Sequence, residues 1–372
     1  MSEKVLHYYA GDHTAKGFYP LYASNFQGLE RIFILKGSSA AIKTDIMNKL
    51  ADVWKSRDYE MEFIHSSSDN DKLDGIIIPH LKIGVHDGTS DPFEPKEGTI
   101  EIVDVDATLD SKHLEQQQNR IQRYQKKIMK SFQSAHQSFQ TGLRIHDDLE
   151  DIYIRHLDSD KADQAAEDVG KHLFSNEEPK EKTPLTKHRF FGASTPKGVV
   201  DYIPNITDDL EKRYFIKGRA GTGKSTFLKK QAEAAQDLGL DVEIYHCGFD
   251  PESIDMVVVR ELGFCIFDST DPHEYFPETK NDEIIDLYEK TVAPGTDEKY
   301  ANTIHNLTRR YKSYMKKGIT HLKKAKQDND NLEKIYLAAS DDSALNHIFD
   351  TLKKQVEIQE NLIVQKTGSL LN

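Results

Sequence analysis

The sequence predicts an α/β protein of two tandem parallel-sheet domains, each with a long helical hairpin. Three observations lead there: an internal duplication, a strand–glycine loop–helix–strand order in each copy, and a long polar helical segment closing each copy. The offset that lays Gly37 on Gly218 and Lys43 on Lys224 also lays His7 on His188, Gly11 on Gly192 and Thr14 on Thr195. It continues without a gap through His65 on His246, Asp69 on Asp250, Asp74 on Asp255 and Asp87 on Asp268. Farther on the register slips by a few residues, yet Leu149, Glu150, Ile152 and Tyr153 still answer to Leu332, Glu333, Ile335 and Tyr336. The copies are expected at 1–175 and 188–372, joined by a linker over 176–187 where Pro, Ser and like charges collect.

Each element has a local reason. Residues 31–36 and 213–217 are short, apolar and aromatic and run straight into a glycine, as a buried strand entering a turn does. Good helix formers over 224–238 stop at Gly239, and a strand pattern resumes over 241–246. Strand, helix, strand reads as a parallel βαβ unit. The apolar runs 256–259 and 264–267 add strands, the second ending at Asp268. Segments 113–157 and 300–337, rich in Gln, Lys and Glu with apolar residues at helical spacing, are read as the hairpins.

Composition narrows the function. With 372 residues, 30% charged and 37% hydrophobic, the chain is a globular protein with polar arms. A net charge of -13 argues against a general nucleic-acid binder. No apolar run approaches the ~18 residues of a membrane-spanning helix. The start, Met1-Ser2-Glu3-Lys4, lacks the features of a signal peptide, so a cytoplasmic location is expected. Cys247 and Cys265 read as reduced thiols at strand ends, outside any metal-ligand cluster.

The chemistry is concentrated in one loop. Gly218, Arg219, Ala220, Gly221, Thr222, Gly223, Lys224, Ser225 and Thr226 satisfy the GxxxxGK(S/T) pattern of a phosphate-binding loop, the P-loop or Walker A motif. Glycines let backbone N–H groups wrap phosphates, and the helix that follows adds its dipole. Lys224 is expected to reach the β- and γ-phosphates and the Ser225 hydroxyl to join Mg2+, with Asp268 as the second metal-supporting group. Ser269 follows Asp268 where many such ATPases carry a water-polarising Glu, leaving Asp271, His273 and Glu274 as nearby candidates. The first copy, Gly37-Ser-Ser-Ala40-Ala-Ile42-Lys43-Thr44, has Ala40 and Ile42 in place of Gly221 and Gly223 and is expected to bind nucleotide weakly or not at all. His65 and His246 are read as structural. The basic stretch from Arg309 to Lys326 is read as a solvated helix face, with an interaction role for the hairpins left open.

The run His246-Cys-Gly-Phe-Asp250, followed by Ser253, Asp255, Asp268, Thr270, Pro272 and His273, resembles an uncharacterised family of tandem P-loop ATPases found mainly in Gram-positive bacteria. The resemblance implies two P-loop NTPase-like repeats with ATP and Mg2+ as ligands. The first copy departs from it, reading Asp87-Gly-Thr89-Ser-Asp91-Pro92-Phe93 without the histidine. There is no LSGGQ-like signature, and Thr186-Lys187 runs on to His188-Arg189 rather than completing a guanine-reading motif, which favours ATP over GTP. The expected function is a Mg2+-dependent ATPase working through the second loop. A small-molecule or nucleotide kinase and a non-hydrolysing nucleotide sensor are the alternatives.

Overall fold

The computed structural model describes residues 5–89 and 98–369, so Asp91, Pro92 and Phe93 of the family comparison lie outside the described residues. The first repeat runs β1 (Val5–Tyr9), β2 (Gly11–Thr14), β3 (Gly17–Pro20), α1 (Tyr22–Asn25), β4 (Arg31–Lys36), α2 (Ala40–Lys55), β5 (Met61–His65), β6 (Leu73–Ile78), β7 (Ile83–Asp87), β8 (Thr99–Asp104), α3 (Ser111–Ile154) and α4 (Ser159–Leu173). The second runs β9 (Thr186–Arg189), β10 (Gly192–Thr195), β11 (Gly198–Asp201), α5 (Ile203–Ile206), β12 (Lys212–Lys217), α6 (Lys224–Asp237), β13 (Val242–His246), β14 (Ile254–Val259), β15 (Phe264–Asp268), β16 (Glu283–Asp286), α7 (Leu287–Thr291), α8 (Thr296–Ala339) and α9 (Asp342–Ser369). The protein is α/β, with two six-stranded mixed sheets ordered β1-β5-β6-β7-β4-β8 and β16-β12-β15-β14-β13-β9.

The sheets are therefore not wholly parallel as expected. β6 and β14 each run against both neighbours, because the short turns over Pro79–Leu81 and Arg260–Leu262 join them to the next strand as hairpins. The remaining pairings are parallel. β12 and β13, flanking α6, are consequently separated by β15 and β14, and the strand beside the glycine loop is β15, which ends at Asp268. That adjacency brings Asp268 to the loop.

The chain forms two compact units that divide it differently from the repeats. One comprises Met1–Ala10, Pro20–Phe132 and Leu322–Asn372; the other comprises Gly11–Tyr19 and Gln133–His321. In the first, α2 lays Ile46, Met47, Leu50 and Trp54 on the sheet, joined by Leu352 and Val356 of α9. In the second, α6 buries Phe227, Leu228, Ala232 and Ala235 on the sheet, and Ala166 of α4 packs with them. Each sheet is thus completed by a helix that belongs to the other repeat. Part of the expected linker is also structural: Thr186 and Lys187 begin β9, while Lys180 and Lys182 pair with Glu261.

The expected hairpins are instead single helices, since α3 and α8 are each 44 residues long without interruption. At 1.5 Å per residue each spans about 66 Å. Neither contains proline, and Gly142 and Gly318 are isolated glycines, too weak to stop runs of Gln, Lys, Glu and Arg. Their inward positions recur every seventh residue: 114, 121, 128, 135, 142 and 149 in α3, and 304, 311, 318, 325, 332 and 339 in α8. A seven-residue repeat is the seam of a coiled coil, in which helices need a partner along their length. In one unit Ile121 packs with Leu332, Ile335 and Tyr336; in the other Ile145, Leu149 and Tyr153 pack with Leu307. Among the described residues, no helix is long and apolar enough to cross a membrane.

Candidate functional site

The glycine loop of the second repeat is built as its sequence demands. It leaves β12 at Lys217 and enters α6 at Lys224. Gly221 has φ +74° and Gly223, which caps the helix, has φ +81°, both in the left-handed region that suits glycine. A side chain on Gly221 would lie 2.6 Å from the Glu150 carbonyl oxygen, and one on Gly218 would lie 2.5 Å from Thr222 Oγ1. The loop closes on itself: the Thr222 hydroxyl and the Lys224 ammonium donate to the Arg219 carbonyl at 2.9 and 2.8 Å. The Arg219 guanidinium turns away to Asp297 at 3.1 Å and stacks on Tyr288, while Ala220 packs against Ile145, Leu149 and Tyr153.

Lys224 also faces Asp268, Nζ to Oδ2 at 3.4 Å. The Thr270 hydroxyl donates to Asp268 at 2.7 Å, and Ser225 Oγ accepts from the Ile254 N–H at 3.0 Å. One carboxylate and one hydroxyl at the helix entrance are hard oxygen donors that suit Mg2+ completed by water and phosphate oxygens. Beside Gly223 and Thr226 a cleft of about 140 Å³ opens between α6 and α4, lined by Leu157, Ser159, Ala162 and Lys230. The loop residues, Lys224, Ser225, Thr226 and Asp268 anticipated from the sequence thus lie together.

What the sequence reading missed comes from α3. His146, Asp147 and Glu150 have ligand atoms within 4.8 Å of one another, with His146 Nδ1 3.5 Å from Glu150 Oε1. Burial raises the pKa of Glu150, aided by Asp147 and opposed by the Lys224 ammonium. Burial and then Lys224 push His146 down to about 4, against Asp250 and Asp268, so its ring is neutral at pH 7. The ring stands edge-on to Phe249 and Tyr311. Burial, followed by the neighbouring Asp268 carboxylate, pushes Asp255 well above the usual carboxylate range. The repeat alignment of Glu150 with Glu333 was the available signal; which loop each faces was not in it.

The first repeat's loop is filled from within its own unit. Lys43, 1% exposed, donates to Asp87 at 2.6 Å, to the Gly37 carbonyl at 2.9 Å and closely to Thr89. Glu333 of α8 lies over the loop: its carboxylate accepts from the Ala40 N–H at 2.9 Å, the Ala41 N–H at 3.4 Å and the Ser39 hydroxyl. Backbone amides at a helix start that hold a carboxylate are doing what a phosphate loop does with an anion. Ile42, whose branched side chain is expected to obstruct the close approach of backbone to phosphate, packs in the core at 3% exposure. Burial and the Asp87 carboxylate push Asp74 up to about 7 against the Tyr22 hydroxyl that donates to it at 2.7 Å.

The other candidates have structural partners. His273 Nδ1 meets Asp201 at 2.8 Å, Asp271 pairs with Lys312, and Glu274 lies 3.5 Å from Lys217. Ser269 is buried and its hydroxyl donates to the Tyr275 carbonyl at 2.7 Å. His65 and His246 each meet the strand histidine beside them, His7 and His188, at 2.8 Å, as the structural reading has it. Arg309, Arg310, Lys316, Lys317, Lys323 and Lys324 are exposed. No protein-family model, curated protein or solved structure matches the chain.

Proposed function

We propose that the protein binds ATP with Mg2+ at the loop of the second repeat and hydrolyses it there, the first repeat's loop being a degenerate copy. On this reading each sheet with its helices is a P-loop NTPase-like domain, and the chain belongs with the tandem ATPases that it resembles. The observation that carries the reading is the loop from Gly218 to Ser225, set between β12 and α6 with Lys224 facing Asp268 across the neighbouring strand end.

The residues have separate tasks. The N–H groups from Gly221 to Ser225 would hold the β-phosphate, and Lys224 would exchange the Arg219 carbonyl for phosphate oxygens. Ser225 and Asp268 would hold Mg2+, which when bound offsets the negative charge of the β- and γ-phosphates. The cleft beside Thr226 offers the nucleoside a place to leave the loop.

The test is ATP binding and phosphate release with Mg2+ for wild type, Lys224→Ala and Lys43→Ala. Loss of both with Lys224→Ala alone is expected. Equal loss with Lys43→Ala would mean that the first loop also works, and binding with phosphate transfer only to an added acceptor would turn the reading to a kinase.

A further inference from the structure

Resting on that reading, we propose that Glu150, carried on a helix of the first repeat, is the general base for hydrolysis at the second repeat's loop. The geometry comes from both copies. In the first, Glu333 sits with its carboxylate on the amides of Ala40 and Ala41, the counterparts of Gly221 and Thr222. This position on the helix therefore places a carboxylate at the height of a bound phosphate. In the second, Glu150 occupies the matching position, and its own carbonyl passes 2.6 Å from where a Gly221 side chain would begin. Its carboxylate lies beside His146 and makes no such contact with the loop amides among the bonds that the described residues form.

The candidates that follow Asp268 in the chain are engaged elsewhere. Ser269 stands where a water-polarising glutamate would follow Asp268, and His273, Asp271 and Glu274 are turned to Asp201, Lys312 and Lys217. In the step, a water oxygen bonds to the γ-phosphorus while its proton passes to the Glu150 carboxylate. The bond from that phosphorus to the bridging oxygen breaks, and the electron pair leaves with the nucleoside diphosphate. Glu150 then returns the proton to phosphate or solvent.

The experiment compares wild type, Glu150→Gln, the exposed neighbour Asp148→Asn and Lys224→Ala. Affinity for ATP with Mg2+, phosphate release and the identity of the bound nucleotide after mixing are measured for each. Glu150→Gln is expected to bind ATP within roughly threefold of wild type, to release phosphate about a hundredfold more slowly, and to hold unhydrolysed ATP. Asp148→Asn should match wild type. Turnover of Glu150→Gln close to wild type overturns the proposal while leaving the loop assignment intact. Tighter ATP binding with unchanged turnover also overturns it, making Glu150 a plug like Glu333. If wild type itself binds ATP without releasing phosphate, the hydrolytic role and the parent reading fail together, and the failure shows in wild type rather than in the variant.

Discussion

Gly221 and Ala40 occupy the same place in the two repeats and lead to different loops. Gly221 takes a left-handed φ and lies against the backbone of α3, so Gly221→Ala meets both a conformational penalty and a clash with the Glu150 carbonyl. We expect that variant to lose about 1–3 kcal/mol of stability and most of its ATP affinity, measured by urea unfolding and nucleotide titration. The lysines diverge as well. Lys43 and Asp87 are a buried ion pair, so Lys43→Ala strands a carboxylate and should cost about 3–5 kcal/mol, while the ATP binding proposed for the second loop should persist in folded protein. Lys224 is paired more loosely, at 3.4 Å, and Lys224→Ala should cost binding far more than stability. Denaturation midpoints beside binding curves separate the two cases.

At the scale of elements, the two long helices approach closely where they are smallest. A side chain on Gly318 of α8 would lie 2.2 Å from the Phe139 ring of α3, and Gly142 of α3 packs beside Tyr314 and Met315. Alanine is a better helix former than glycine by about 1 kcal/mol, yet Gly318→Ala should lower the melting temperature because the ring must move. Overpacking of this kind costs about 1–3 kcal/mol. Adding Phe139→Leu to the same chain should recover much of the loss, and an additive double variant would show that the two residues do not meet. The expectation of hairpins failed here for a physical reason. Apolar residues at helical spacing were visible, but their exact seven-residue recurrence asks for one long partner helix, whereas a hairpin needs a break that neither segment contains.

At the scale of the molecule, both units carry a histidine pair at matching strands, His7 with His65 and His188 with His246. Burial, then the adjacent His7, pushes His65 down to about 3; burial, partly offset by the Pro251 carbonyl, pushes His246 down to about 4. An unfolded histidine, near 6.5, binds more protons below that pH than either of these, so the stability that the two contribute is full above about pH 6.5 and declines as pH falls toward 4, whereas the raised Asp74 acts in the opposite sense over the same range. Urea midpoints measured at pH 7.5 and pH 5 should show the His65→Gln, His246→Gln double variant gaining at pH 5 relative to wild type, and an equal pH response in the two proteins would show that the pairs do not titrate with folding. Much of this was legible beforehand: the duplication, the strand–loop–helix order, the loop that keeps its glycines and the strand-end Asp268 that faces its lysine. The reversed strands β6 and β14 were not, because short apolar runs carry no direction. The loop proposed to bind phosphate could be picked out before any fold was known, since φ freedom, a lysine and a hydroxyl at fixed spacing are local properties of the chain. That Glu333 meets the first loop and Glu150 the second follows from packing between distant segments, because a 44-residue helix delivers its far end to a unit built on the other repeat's strands.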